Sequence, residues 1–158
     1  ISTEGQTGRP HIARLLVKHG YVHNMDEAFR KYLRKDGLAY VERYILPARE
    51  AIKLVRGAGG LAVMAHPVVI DQTLEKVKAI LDGLIEAGLE GIEVYYPTHS
   101  RKMKKTIRKL AEEKGLFCTG GSDYHGEIRK GTSVADGNHV CVPYDTVIEM
   151  KKRVGITR

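Results

Sequence analysis

The sequence predicts an α/β fold in which parallel βα units follow a helical segment. Three observations lead there. Short apolar runs at Leu61–Ala65, Gly91–Tyr96 and Leu116–Thr119 each begin at or just after glycine. The stretches between them carry apolar residues at helical spacing. Residues able to do chemistry gather directly behind the apolar runs, at His66, His99, Asp123 and His125. Strand, helix, strand, helix, strand is the order of βα units in a parallel sheet.

The elements follow in order. Residues 1–9 carry Gly5 and Gly8 without periodicity and read as a lead-in. Pro10 suits a first helical turn, Ile12, Leu15 and Leu16 form one apolar face, and Gly20 closes the helix. Asn24 with Glu27 resembles a capping box for a second helix, with Met25, Ala28, Phe29, Tyr32 and Leu33 inward and Gly37 at its end. Leu38–Val41 is the one stretch here with room for an extended piece. Pro47 opens a third helix with Ala51, Ile52, Leu54 and Val55 as apolar positions and Gly57 as the stop. Residues 1–57 thus read as a basic helical segment.

The pattern changes at Gly59-Gly60. The continuous apolar run Leu61–Ala65 fits a strand covered on both faces. A helix from about Thr73 carries Leu74, Val77, Leu81, Leu84 and Ile85, and Gly91–Tyr96 is the second strand. Ser100 can cap a helix with Met103, Ile107, Leu110 and Ala111 inward and Gly115 as its stop. Leu116–Thr119 is a third strand and Val140–Val142 a fourth, leading past Pro143 to a last helix with Val147, Ile148, Met150 and Val154. Residues 58–158 therefore read as βα units.

Composition narrows the function classes. A hydrophobic share of 42% in 158 residues suffices for one buried core and excludes a disordered tail. No apolar run approaches the ~20 residues of a membrane span, so no membrane partner is expected. Cys118 and Cys141 form no CxxC pair, which favours reduced thiols and a cytoplasmic protein. The chain opens on Ile1-Ser2-Thr3, as a processed or excised piece would. A net charge of +7 favours anionic partners, whether nucleotides, phosphate esters or nucleic acid. No zinc-finger or RNA-recognition signature accompanies it.

Parallel strands bring their carboxyl ends to one edge, where ligands bind in sheets and barrels alike. His66 ends the first strand, Tyr96-Pro97-Thr98-His99 follows the second, and Asp123 and His125 follow the third within the flexible run Gly120–Gly126. Carboxylate and imidazole together suit Mn, Fe or Zn. His66, Asp123 and His125 are the candidate metal ligands. Two histidines and one carboxylate fit a facial triad for non-haem iron or part of a larger hydrolytic cluster, and their number alone does not separate these. Arg9 and His11 open the first helix, where guanidinium geometry and free backbone N–H groups suit a phosphate. His99, at the active edge, is either a further phosphate contact or a capping residue.

These residues carry a resemblance. Ala65-His66-Pro67 and Gly121-Ser122-Asp123-Tyr124-His125 resemble the last metal-binding motifs of the PHP (polymerase and histidinol phosphatase) family. Gly8–Arg14, Phe29–Leu33 and Gly91–Tyr96 resemble its branch that hydrolyses nucleoside 3′,5′-bisphosphates and trims short RNA from the 5′ end. The resemblance runs from Gly8 to about Val154. It implies the C-terminal part of a distorted, incomplete β/α barrel, with the helical segment as an insertion. It also implies divalent ions at His66, Asp123 and His125, manganese first and Mg, Fe or Zn as alternatives. Arg9 and His11 would grip the phosphate of a nucleotide or short RNA. The family's opening His-x-His motif, and the Asp, His, Glu and His that follow it, do not lie ahead of Gly8. The metal site in this chain is therefore expected to be incomplete and the chain alone inactive, with exposed sheet edges that favour self-association.

Other residues have plainer readings. Glu93 has the opposite strand parity from Ile92 and Val94 and is expected to pair with an Arg in the barrel. Lys102, Lys104, Lys105, Arg108 and Lys109 form a basic helix face, a solubility face first and an RNA-tracking surface as the alternative. Arg30, Lys31 and Lys35 read as a solvated face ahead of a nucleotide-contacting one, and His19, His23 and His139 have no partners at recognisable spacing. The competing functions are a non-catalytic nucleic-acid-binding module, a proofreading nuclease domain and a histidinol phosphatase.

Overall fold

The computed structural model of the chain describes residues 8–42, 44–124, 133–134 and 140–156. The chain divides into two compact units, Ile1–Ile45 and Leu46–Arg158, and each is a body of its own.

The first unit is helical. α1 (Arg9–Lys18) starts behind extended Gly8, and the chain leaves it through Gly20 at φ +73°. α2 (Met25–Ala28) runs into a π-helical turn, Phe29–Leu33. Asn24 Oδ1 accepts the Glu27 N–H at 2.9 Å, as a cap should. The return bond slips by one residue, for the Glu27 carboxylate accepts the His23 N–H at 2.8 Å. Ala13, Val22, Ala28 and Leu33 are buried together, with Phe29 and Tyr32 packed against them. Leu38–Val41 forms turns, with Leu38 and Val41 exposed, and no strand.

The second unit is a three-stranded parallel sheet with helices. β1 (Ala62–Met64), β2 (Leu89–Tyr95) and β3 (Phe117–Gly120) lie side by side in that order. Met64 is level with Ile92, and Ile92 with Cys118. α3 (Ala48–Gly57) joins this unit because Ile52 packs into its core. α5 (Glu75–Glu86) and α6 (Arg101–Glu113) bury Val77, Leu81, Ile107 and Ala111 in the same cluster as Ile92 and Val94. Ser100 Oγ accepts the Met103 N–H at 3.1 Å, and Gly115 at φ +66° ends α6 as expected.

Several expectations need correction. A short helix, α4 (Pro67–Ile70), follows β1 directly. The next helix begins at Glu75 instead of Thr73, because Asp71 takes the N–H groups of Thr73 and Lys76 and ties Thr73 into a turn. Those bonds, the Lys76 N–H first, hold the Asp71 carboxyl down at about 2. Only Ile52 of the apolar positions of α3 is buried, while Leu54 is 64% exposed. Val140–Val142 is not a strand; it joins no ladder, and Val142 packs close to Gly120 instead. α7 (Asp145–Arg153) follows it, with Arg153 over the Phe117 ring and with Val147 and Ile148 exposed.

Candidate active site at the carboxyl edge of the sheet

The three strand ends converge as parallel topology requires. β1 ends into His66, β2 into Tyr96 and β3 into the loop Gly121–Tyr124. His66 adopts left-handed backbone, φ +31° and ψ 60°, immediately before Pro67 opens α4. Asp123 is left-handed as well, at φ +52°. Such conformations strain residues with a Cβ and persist where the surroundings over-determine them.

Tyr96 lies between the two candidate ligands. Its hydroxyl donates to Asp123 Oδ2 at 3.0 Å, and its ring centroid is 5.7 Å from that of His66. Among the described residues, His66 Nδ1 is buried without a hydrogen-bond partner. A bare buried imidazole nitrogen on the same edge as a carboxylate is the donor chemistry of a Mn, Fe or Zn site. His125, the third expected ligand, lies outside the described residues. Among the described residues no group of three His, Cys, Asp or Glu side chains is arranged to hold a metal ion.

Glu93 is a site residue that sequence reasoning assigned to a different partner. No arginine pairs with it among the described contacts. Its Oε2 accepts the His66 backbone N–H at 2.6 Å, and the carboxylate faces Gly121. Burial raises its pKa above the ordinary 4.5, opposed by the bond from His66 and reinforced by nearby Asp123. The signal for it was strand parity, since a residue between buried Ile92 and Val94 must face the other side of the sheet.

His99 is 4% exposed beneath Tyr96, with ring centroids 5.2 Å apart. Its Nδ1 is 2.9 Å from the Val94 carbonyl oxygen, which can only accept. The proton therefore sits on Nδ1, and buried Nε2 is left without a partner. Burial lowers the His99 pKa below the ordinary 6.5. Beside this edge opens a hollow of about 860 Å³, lined by residues 68–72, Thr98, Ser100 and Met103.

Arg9 and His11 belong to the helical unit. Arg9 Nη1 donates to the Leu33 carbonyl at 3.1 Å, and His11 Nδ1 accepts the Gly8 N–H at 3.0 Å. Both side chains are thereby held at the opening turn of α1.

No protein-family model matches the chain. Curated relatives do. It is 35% identical over 126 residues to a 3′,5′-nucleoside bisphosphate phosphatase of Chromobacterium violaceum, covering 80% of this chain and 44% of that protein. It is 37% identical over 100 residues to a phosphoribosyl 1,2-cyclic phosphate 1,2-diphosphodiesterase of Eggerthella lenta, covering 63% of this chain and 36% of that one. A 5′-3′ exoribonuclease of Haemophilus influenzae is 30% identical over 122 residues, covering 77% and 44%. Among solved structures, a chain named as a metal-dependent phosphoesterase from Bifidobacterium adolescentis superposes with a TM-score of 0.74. It is 30% identical, over 96% of this chain and 53% of that one.

Fold and strand-edge site thus define an α/β phosphoesterase-like chain. More particularly, the chain is similar in sequence to a nucleoside bisphosphate phosphatase and to 5′-3′ exoribonucleases, and in structure to a metal-dependent phosphoesterase. It spans about half or less of the length of the proteins it matches.

Proposed function

We propose that the protein is a metal-dependent phosphoesterase that cleaves phosphate esters of nucleotides, either nucleoside 3′,5′-bisphosphates or the 5′ end of short RNA. The observation that carries this reading is the pairing of His66 and Asp123 across Tyr96 at the carboxyl edge of the sheet. The relationship to a bisphosphate phosphatase and exoribonucleases supports the substrate class. His66 and Asp123, with His125 as the third, would hold divalent ions, manganese ahead of Mg, Fe and Zn. Such ions supply Lewis-acid stabilisation of charge on the phosphoryl oxygens.

The chain's own residues do the rest. Arg9 and His11, held at the opening turn of α1, are assigned to the substrate phosphate, which a guanidinium suits. His99, buried with its Nδ1 on the Val94 carbonyl, keeps the β2 end in place beneath Tyr96. The outer edges of β1 and β3, without strand partners among the described residues, give the chain a route to self-association. We place the protein in the cytoplasm on its two unpaired cysteines; among the described residues no helix is long and apolar enough to cross a membrane.

The test is hydrolysis of adenosine 3′,5′-bisphosphate, and of a short 5′-phosphorylated RNA, by the intact protein with added Mn. Asp123→Asn and His66→Ala should each reduce turnover at least ~100-fold, within the range expected when a transition-state charge stabiliser is lost. Undiminished turnover in both would end the ligand assignment. Salt-sensitive RNA binding without Mn uptake would instead favour the non-catalytic module.

A further inference from the structure

We infer that β2 is the positioning strand of this site, with Glu93 holding the His66 main chain and Tyr96 holding the Asp123 carboxylate. The inference rests on the proposed metal-site reading and adds two residues to it. β2 is the central strand, flanked by β1 and β3, which carry the two candidate ligands at their carboxyl ends. Each ligand-bearing end is tied back by a side chain of β2 or of the residue that follows it. Glu93 Oε2 accepts the His66 N–H at 2.6 Å, a charge-assisted bond on the residue at φ +31°. Tyr96 donates to Asp123 Oδ2 at 3.0 Å, on the residue at φ +52°.

The geometry gives each bond a definite purpose. A left-handed residue with a Cβ needs an outside partner to hold its backbone. At His66 that partner is the Glu93 carboxylate, which comes from the neighbouring strand and therefore sets His66 relative to the sheet. Asp123 sits in the loop Gly121–Tyr124 behind β3, whose first residue has no side chain to pack. The phenol bond fixes the orientation of its carboxylate. Partners of this kind commonly change metal affinity by about 10–100-fold when removed.

The experiment compares Glu93→Ala, Glu93→Gln and Tyr96→Phe with the unaltered intact protein. Mn(II) affinity is measured by electron paramagnetic resonance, and His66 amide exchange by NMR without metal. Circular dichroism checks that each variant is folded. Glu93→Ala and Tyr96→Phe should each weaken Mn binding about 10–100-fold. Glu93→Gln should recover most of the loss, since its amide oxygen still accepts the His66 N–H. His66 amide exchange should quicken in Glu93→Ala and stay slow in Glu93→Gln. Mn affinity equal to the unaltered protein in both Glu93→Ala and Tyr96→Phe would overturn the inference. So would Glu93→Gln as impaired as Glu93→Ala, which would make Glu93 a charge or a ligand instead of a holding group. If the unaltered protein takes up no Mn, the metal-site reading falls. The metal-free exchange then decides this one, unchanged exchange in Glu93→Ala counting against it.

Discussion

Tyr96 joins the end of β2 to the loop behind β3 through a 3.0 Å bond from its hydroxyl to Asp123 Oδ2, while its ring faces His66 on the other side. Two residues that follow separate strands thus meet one side chain that follows the strand between them. Both carry left-handed backbone, each at a cost of about 1–3 kcal/mol.

The buried imidazole beneath Tyr96 should limit acid stability. His99 titrates below its ordinary 6.5 in the fold because burial disfavours its charged form. As pH falls the unfolded chain takes the proton first, so stability rises with pH across this window. The contribution is full above about pH 6.5 and is lost as pH falls toward the lower folded-state value. His99→Phe should flatten that slope in denaturant titrations between pH 7 and 5. It should also cost about 1–3 kcal/mol at neutral pH, because the Val94 carbonyl loses its donor. An unchanged slope would contradict the assignment.

Two adjacent glycines should respond differently to a methyl group. A Cβ on Gly120 would stand 2.3 Å from Tyr95 Cβ and 2.4 Å from its carbonyl oxygen. On Gly121 it would meet, among the described residues, nothing closer than Glu93 Oε1 at 3.7 Å. Gly120→Ala should destabilise by at least about 1–3 kcal/mol, while Gly121→Ala stays under ~1 kcal/mol. Urea midpoints for the pair measure the difference, and equal midpoints would refute it.

The cap of α6 is a local, separable contribution. Ser100 Oγ accepts the Met103 N–H at 3.1 Å, satisfying one orphan donor of the 13-residue helix. Ser100→Ala should lower stability by about 0.5–2 kcal/mol, and Ser100→Asp should keep most of it. Thermal unfolding of the three proteins reads this directly.

Burial should separate two leucines that look alike in the sequence. Leu81 on α5 is fully buried, whereas Leu54 on α3 is largely exposed. Leu81→Ala should cost about 2–5 kcal/mol through lost transfer energy and a cavity. Leu54→Ala should stay within about 0.5 kcal/mol. Chemical denaturation of both variants checks the contrast.

What was legible in the sequence is what local chemistry decides. Asn24 and Ser100 were readable as caps because a cap bonds a backbone group three residues away. Gly20 and Gly115 were readable as stops because left-handed backbone selects glycine there. Ile107, Leu110 and Ala111 announced their face through helical spacing. Errors arose where a distant neighbour decides. Val140–Val142 has strand composition, yet a strand exists only if a ladder receives it, and this segment packs beside Gly120 without one. The last helix has an apolar stripe, but nothing in its own spacing says whether a partner covers Val147 and Ile148.

The site divides along the same line. By itself the sequence determined that His66, Tyr96 and Asp123 share one edge, since parallel strands leave no other arrangement for residues at their carboxyl ends. Only the tertiary structure decided that Glu93 turns to the His66 backbone, that His99 faces inward to Val94, and that Tyr96 reaches Asp123. Periodicity sets which face of a strand a side chain occupies. Which group it meets there depends on strand register and on residues 27 positions away, as at Glu93 and Tyr96.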